Sequence, residues 1–294
     1  MIENPKHKIT LKEFLSENEF EEINALKDIC FEVDHTNLKL ELDFKLSLSK
    51  ESLAQSDRIN EFLYYIDNTL VAYLGICCFG GNAGEINGMT HPSFRRHGLF
   101  RKLFTLAVNE CKRRSFSKLL LLSDDNSASG KEFIKAMGAE YDFSEYRMKL
   151  TGKAPSEDIN PITLRPAGKD DRKELKRQDA IYFNDPIDSD DDTIEFFAPN
   201  EISYLSELSG NPIGKIRVDY DVNSAFICGF GILPEYRGQG YGKATLKETI
   251  RMIHENGIDV IGLDVECKNS NALNLYKSCG FKEQSVMNYY KYSY

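Results

Sequence analysis

The sequence predicts an α/β protein made of two similar domains in tandem, and three observations carry that reading. The chain has 294 residues, long for one compact domain and comfortable for two. A segment of the first half returns in the second: Pro92-Ser-Phe-Arg95-Arg-His-Gly98 reappears 142 residues on as Pro234-Glu-Tyr-Arg237-Gly-Gln-Gly240, and the same offset takes Gly138 to Gly280. Short apolar or alternating runs are interleaved with stretches of helical periodicity, the order of an α/β domain.

Within the first half, Phe104, Val108 and Cys111 repeat as Leu246, Ile250 and Ile253 in the second, an i, i+4, i+7 stripe that marks an amphipathic helix in both. Upstream, Ile9-Thr-Leu-Lys matches Ile162-Thr-Leu-Arg at an offset of 153, so the first copy carries about eleven extra residues before its glycine loop. The helical region ending near Arg58 is the expected place for them. Thr151 to Pro161 is polar, with one Gly and two Pro, a linker composition. The expected organisation is therefore a domain over 1–150, a linker over 151–161 and a domain over 162–294.

In the second copy, Glu201 to Leu208 alternates and ends at a turn, Ser209-Gly-Asn-Pro212; strands over Ile213–Tyr220 and Ala225–Leu233 follow as a hairpin. A helix is expected from about Tyr241 to Asn256, stopped by Gly257, then a strand over Asp259–Glu266. A short helix starts near Asn269-Ser-Asn271, which supply capping side chains, and runs to Cys279.

Composition narrows the function. Hydrophobic residues at 41% and charged residues at 28% are those of an ordinary globular protein. A net charge of -9 argues against nucleic acid and anionic membranes. No secretory signal or 18-residue apolar span is present, so a cytoplasmic protein is expected. The seven cysteines form no CxxC pair and the five histidines have no ligand spacing, so they read as reduced core thiols with no metal site.

The most informative segment is Phe230-Gly-Ile232-Leu-Pro-Glu-Tyr-Arg237-Gly238-Gln239-Gly240-Tyr241-Gly242-Lys243, a strand leading through a glycine turn into a helix. Such a turn presents unpaired amides at the positive end of a helix dipole, a site for phosphate or pyrophosphate. Arg237 and Lys243 add positive charge in an otherwise acidic chain. The run from Arg237 to Gly242 resembles the Q/R-x-x-G-x-G/A acyl-CoA signature of the GNAT superfamily of N-acetyltransferases, and Asn271-Ala-Leu-Asn-Leu-Tyr276-Lys-Ser-Cys-Gly280-Phe281 resembles the second half of that pattern. A GxGxxG strand motif with a following acid, or a GxxxxGK[ST] loop, is absent.

The resemblance implies two GNAT domains, each a mixed central sheet flanked by helices, with acetyl-CoA as co-substrate. By it, the backbone of Arg237, Gly238, Gln239, Gly240, Tyr241, Gly242 and Lys243 holds the pyrophosphate, Phe230 and Ile232 pair with the pantetheine arm, and Asn271 touches that arm. Tyr276 is then the general acid for the departing thiolate, a role its phenol suits because its ordinary pKa lies near that of a thiol. The alternative is an aromatic packed on its helix face.

The first copy departs from the signature at Phe100, a bulky ring where pyrophosphate should approach, and has Ser129 and Ile134 in place of Asn271 and Tyr276. It reads as a degenerate GNAT-like domain, in a layout similar to tandem members of the family whose activity resides in the second domain. A base must deprotonate the ammonium acceptor; the family often places a Glu on the strand before the signature loop, where the second copy has none and the first has Glu85. Asp264 and Glu266, on one face of a strand by alternation, are the candidates, with a solvated or salt-bridged role as the alternative. The Asp185–Asp192 run would attract a cationic acceptor or be a solvated loop, and Tyr289, Tyr290, Tyr292 and Tyr294 would line the site or form an ordinary strand.

The expected function is transfer of acetyl from acetyl-CoA to a primary amine of a small molecule or peptide in the C-terminal domain. A non-catalytic acyl-CoA-sensing protein is the alternative, kept open by the missing base. Aminoacyl transfer from charged tRNA is disfavoured by the intact second loop and the acidic charge.

Overall fold

The computed structural model describes residues 5–48, 57–78, 82–151, 161–183 and 200–294. They divide into two compact units, one of residues 1–144 with 285–294 and the other of residues 145–284. In the first, β1 (His7–Lys12), β2 (Glu61–Ile66), β3 (Thr69–Cys77) and β4 (Ala83–Thr90) pair antiparallel in turn, and β4 then pairs in parallel with β5 (Lys118–Asp124). Helices α1 (Glu17–Asp34) and α2 (Leu42–Ser47) pack on one face; α3 (Leu99–Arg113) and α4 (Ala128–Ala136) pack on the other. The extra residues of the first copy include α2, within the region the offset between copies had marked.

The next strand, β6 (Glu140–Thr151), belongs from Glu145 onward to the second unit. There β7 (Ile162–Pro166), β8 (Glu201–Leu208), β9 (Asn211–Tyr220) and β10 (Ser224–Ile232) repeat the antiparallel run, and β10 pairs in parallel with β11 (Val260–Glu266). Helix α5 (Arg172–Phe183) lies on one face, α6 (Tyr241–Glu255) and α7 (Ser270–Ser278) on the other. The predicted α/β class and tandem plan are observed.

The last strands are exchanged. β12 (Lys282–Tyr292), which ends the second copy, lies antiparallel on β5 of the first unit, from Met287 opposite Asp124 to Tyr292 opposite Leu119. β6, which ends the first copy, lies antiparallel on β11 of the second, from Glu145 opposite Glu266 to Thr151 opposite Val260. Repeat and compact unit thus differ by one strand.

Local signals explain most boundaries. Ser16 caps α1 in a capping box with Glu19. The apolar stripes of α3 and α6 face their cores, with Leu246, Ile250 and Ile253 fully buried. Ser209 and Gly210 both take positive φ and close the β8–β9 hairpin, as a two-residue turn matched to strand twist requires. Asn269 caps α7 by accepting from the Ala272 amide at 3.1 Å. The cysteines are free thiols, and Cys78 is exposed, so it is not the core thiol that composition suggested.

Candidate active site

In the second unit β10 and β11 pair over only four residues, ending at Ile227 opposite Leu263. Beyond that point β10 pairs with β9 alone and β11 with β6, so the sheet opens. A β-bulge lies at the opening: Cys228 is opposite Arg217 and Gly231 opposite Lys215, leaving Gly229 and Phe230 against Ile216 alone. A bulge adds a residue and re-aims the side chains after it. Ala225 and Ile227 face the α6 core before it; Phe230 and Ile232 face Gly242 of α6 after it. Gly229 takes φ 54°, the conformation that accommodates the extra residue.

The glycine loop follows. Arg237 donates from Nε to the Ile232 carbonyl at 2.8 Å, and its guanidinium lies over the Tyr182 ring of α5. The side chain therefore fixes the turn. Gly238 and Gly240 both have positive φ. The first helical acceptor is the Gly240 carbonyl, taken by the Ala244 amide at 3.1 Å, so the amides of Tyr241, Gly242 and Lys243 have no intrahelical partner. Gly242 has room above it: an added Cβ would come no nearer than 3.6 Å to Leu275. Gln239 donates to the Glu235 carbonyl and Lys243 is exposed. These residues fit an acyl-CoA pyrophosphate by chemistry and by space.

On α7, Asn271 is exposed in the first turn and Tyr276 is buried one face inward. The Tyr276 ring lies between Phe230 at 6.5 Å and Phe281 at 6.0 Å between centroids. Burial pushes its phenol up to about 12, so the hydroxyl keeps its proton at neutral pH but lies further from a thiol's value than the ordinary phenol on which the expected role was matched. Loop, opening and Tyr276 share one face of the sheet.

Asp264 and Glu266 share the opposite face, as alternation predicted. Asp264 is held by Arg147 of β6, Nε to Oδ1 at 2.5 Å and Nη2 to Oδ2 at 3.0 Å, while Glu266 is exposed opposite Glu145. Between a free carboxylate and an ion-paired one, Asp264 is the latter. The Asp185–Asp192 run lies outside the described residues.

The first unit has the same loop. Arg95 donates from Nε to the Thr90 carbonyl at 3.0 Å, as Arg237 does to Ile232, and its other nitrogens grip the Asp34 carboxylate. Arg96 and Gly98 take the positive φ values of Gly238 and Gly240. A cavity of about 720 Å³ opens where β4 and β5 part, lined among others by Gly88, Gly98, Ser129, Ile134 and Asp34. Phe100 does not stand over the loop as expected from its bulk. Its ring turns inward against Gly88 and packs edge-on at 4.9 Å from Phe133.

Tyr289, Tyr290 and Tyr292 are on β12, which joins the first unit, and Tyr294 lies past its end: the Tyr289 hydroxyl accepts from Lys39 at 2.8 Å and its ring stacks on Phe143. Tyr182 and Arg147 were not foreseen. No local motif marks either residue, and Arg147 is 117 positions from its partner. Among the described residues no cluster of three His, Cys, Asp or Glu is arranged for a metal, and no helix is long and apolar enough to cross a membrane.

The sequence model of the Acetyltransferase (GNAT) family matches residues 21–139 and again 170–281. The chain is 23% identical over 252 residues to a mycothiol acetyltransferase of Streptomyces griseus, covering 78% of this chain and 79% of that one. It is 33% identical over 70 residues to the ribosomal protein bS18-alanine N-acetyltransferase of Escherichia coli, 24% of this chain and 47% of the enzyme, and so spans about half of that shorter protein. Among solved structures, a GCN5-related N-acetyltransferase from Sphaerobacter thermophilus superposes with a TM-score of 0.74 at 16% identity, over 97% of this chain and 95% of that one. A tandem GNAT protein from the clavulanic acid biosynthesis pathway does so with a TM-score of 0.66 at 13% identity, over 97% and 98%. At these identities the structural likenesses show the fold.

Proposed function

Because this chain belongs to the acetyltransferase (GNAT) family, we propose that it moves acetyl from acetyl-CoA to a primary amine of a small molecule or peptide, with the chemistry in its second unit. The observation that carries this assignment is Tyr276, whose buried phenol is kept protonated beside the bulge of β10 and makes no hydrogen bond to a described residue. The first unit has Ile134 there.

In this reading the loop amides from Gly238 to Lys243 take the pyrophosphate, the expected Arg237 amide being already taken by the Pro234 carbonyl at 3.2 Å, and the Phe230 and Ile232 backbone takes the pantetheine arm, with Asn271 beside it. The amine nitrogen attacks the thioester carbonyl, the carbon–sulfur bond breaks, and Tyr276 gives its proton to the departing thiolate. The ammonium gives up one proton before attack, through water on the face that carries Asp264 and Glu266, and the second, lost as the amide forms, returns through water to the Tyr276 phenolate and restores the acid. General acid catalysis is worth roughly 100- to 10,000-fold, so Tyr276→Phe should lower kcat within that range with little change in KM. A mutant that keeps at least about half the normal kcat, with chemistry limiting, refutes the role.

The cavity of the first unit favours a second reading, in which acyl-CoA is held there without turnover as a sensing ligand. Calorimetry separates the two: binding without thiol release against any amine, together with an inert Tyr276→Phe substitution, would favour sensing.

A further inference from the structure

The face of the second unit opposite α6 and α7 carries an ordered row of side chains at the opening of the sheet. By register, Arg217 of β9 lies beside Cys228 of β10, then comes the gap, then Asp264 of β11 beside Arg147 of β6. Arg217 donates to the Cys228 sulfur at 3.3 Å and pairs with Glu201 at 2.7 Å. Across the gap, the Arg147 guanidinium lies 4.9 Å above the Phe226 ring and grips both oxygens of Asp264. Phe226 in turn packs on Gly262, where an added Cβ would meet the ring at 3.0 Å. The fork and the ring beneath it leave that arginine few ways to turn.

Residue 147 belongs to the first copy and reaches this site only because the last strands are exchanged. We propose that Arg147 is a positioning residue of the second unit's acceptor site: it holds the Asp264 carboxylate at the opening between β10 and β11, where that carboxylate accepts a hydrogen bond from the incoming amine. A two-point guanidinium grip fixes the plane of a carboxylate, whose two oxygens together offer about four acceptor sites. The proposal rests on the reading that transfer occurs in the second unit. It gives the first copy a part in the reaction whether or not it binds acyl-CoA itself, and it makes the acceptor a donor of N–H bonds on the face away from Tyr276.

The test uses the full chain with saturating acetyl-CoA and a panel of amines: polyamines, amino sugars, amino acids and peptide N-termini. A hydrogen bond to a charged group contributes about 1.5–3 kcal/mol, so Arg147→Met should lower kcat/KM for the best amine by roughly ten- to a hundredfold. The KM for acetyl-CoA should stay within about twofold. Arg147→Lys, which keeps the charge but not the fork, should recover part of the loss, and adding Asp264→Asn to Arg147→Met should cost little more, since coupled partners are not additive. Unchanged kcat/KM in Arg147→Met overturns the proposal; so does a rise in acetyl-CoA KM and a fall in Tm that account for the whole loss, with no recovery in Arg147→Lys. Tyr276→Phe in the same assay tests the underlying reading. Unaltered kcat there removes the second unit as the site and this role with it, whereas a deficient Tyr276→Phe beside a normal Arg147→Met removes Arg147 alone.

Discussion

Phe100 lies against Gly88 in the first unit where, 142 residues on, Gly242 lies against Phe230 in the second: the large and the small residue have changed places between helix and strand. In the first unit the ring comes from α3 and the strand makes room; in the second the ring comes from β10 and the helix makes room. An inward Phe100 leaves the loop amides clear, which is how the first unit keeps its cavity despite a bulky residue in the signature.

The exchange of sizes cannot be reversed at Gly88 without cost. An added Cβ there would fall on the Tyr73 carbonyl oxygen, 2.8 Å from the Leu74 Cα and 2.9 Å from the Phe100 ring. Two of these three neighbours are backbone of β3, whose register with β4 is unbroken on either side of Gly88. Gly88→Ala should therefore destabilise the protein by about 1–3 kcal/mol, the usual range for overpacking. Adding Phe100→Ala should not restore it, because the β3 backbone remains. Urea unfolding of the single and double variants decides this, and full recovery in the double would mean that the ring alone sets the limit.

Both loops hold a glycine in the left-handed region at the residue before the helix, Gly98 and Gly240, with nothing within 4 Å of an added Cβ. Valine at either position meets backbone strain although its Cβ has open space, since a β-branched residue is a genuine outlier at positive φ. Gly240→Val should abolish thiol release and remove one bound acetyl-CoA per chain, while Gly98→Val should leave turnover near normal. Calorimetry with a parallel thiol assay reads both. Turnover lost in Gly98→Val and kept in Gly240→Val would move the chemistry to the first unit.

Much of this was legible in the sequence because it is local. The stripes on α3 and α6, the stop at Gly257, the Ser209–Gly210 turn and the Asn269 cap each depend on residues within one or two turns of each other. The bulge was not, since one extra residue in β10 leaves composition and motif spacing unchanged on its far side. The effect of Phe100 was misread for a related reason: its bulk is plain in the signature, but the glycine that accepts it sits on another element. The pairs Arg147 with Asp264 and Tyr289 with Lys39 follow from strand exchange, which no periodicity reports.

Strand exchange predicts how the chain responds to cutting. Residues 285–294 supply β12 to the first unit, with Tyr289 almost fully buried and Asn288 bonded to Ser144 and Asp125. Removing them leaves β5 with an open edge and uncovers Leu120 and Leu122 of the same small core. A chain ending at 284 should lose Tm and bind an apolar dye at temperatures where the full chain does not. A fragment of 162–294 lacks β6 in the same way, leaving Leu263 and Val265 without Met148 and Leu150, and should fold poorly unless 140–151 is included. An isolated 162–294 fragment with the unfolding cooperativity of the full chain would show that the exchange is dispensable.

The last prediction concerns pH and Tyr276. Its phenol is pushed from an ordinary value near 10 up to about 12 because burial penalises the anion. Between those values the folded chain keeps the proton that the unfolded chain has lost, so ν for the unfolded state is the smaller and stability falls as pH rises. The contribution is complete below about pH 10 and gone above about pH 12. Tyr276→Phe has no proton to lose, so the difference in Tm between wild type and mutant should be flat from about pH 7 to 10 and shift toward the mutant above that. The same proton bears on catalysis: an acid that stays protonated to about 12 sets no alkaline limb near neutrality. Any fall in kcat between about pH 7 and 10 belongs to another group and should persist, at lower amplitude, in Tyr276→Phe. If that limb vanishes in the mutant while residual turnover remains measurable, Tyr276 titrates near neutrality and its surroundings during turnover are far more polar than the buried ring between Phe230 and Phe281 implies.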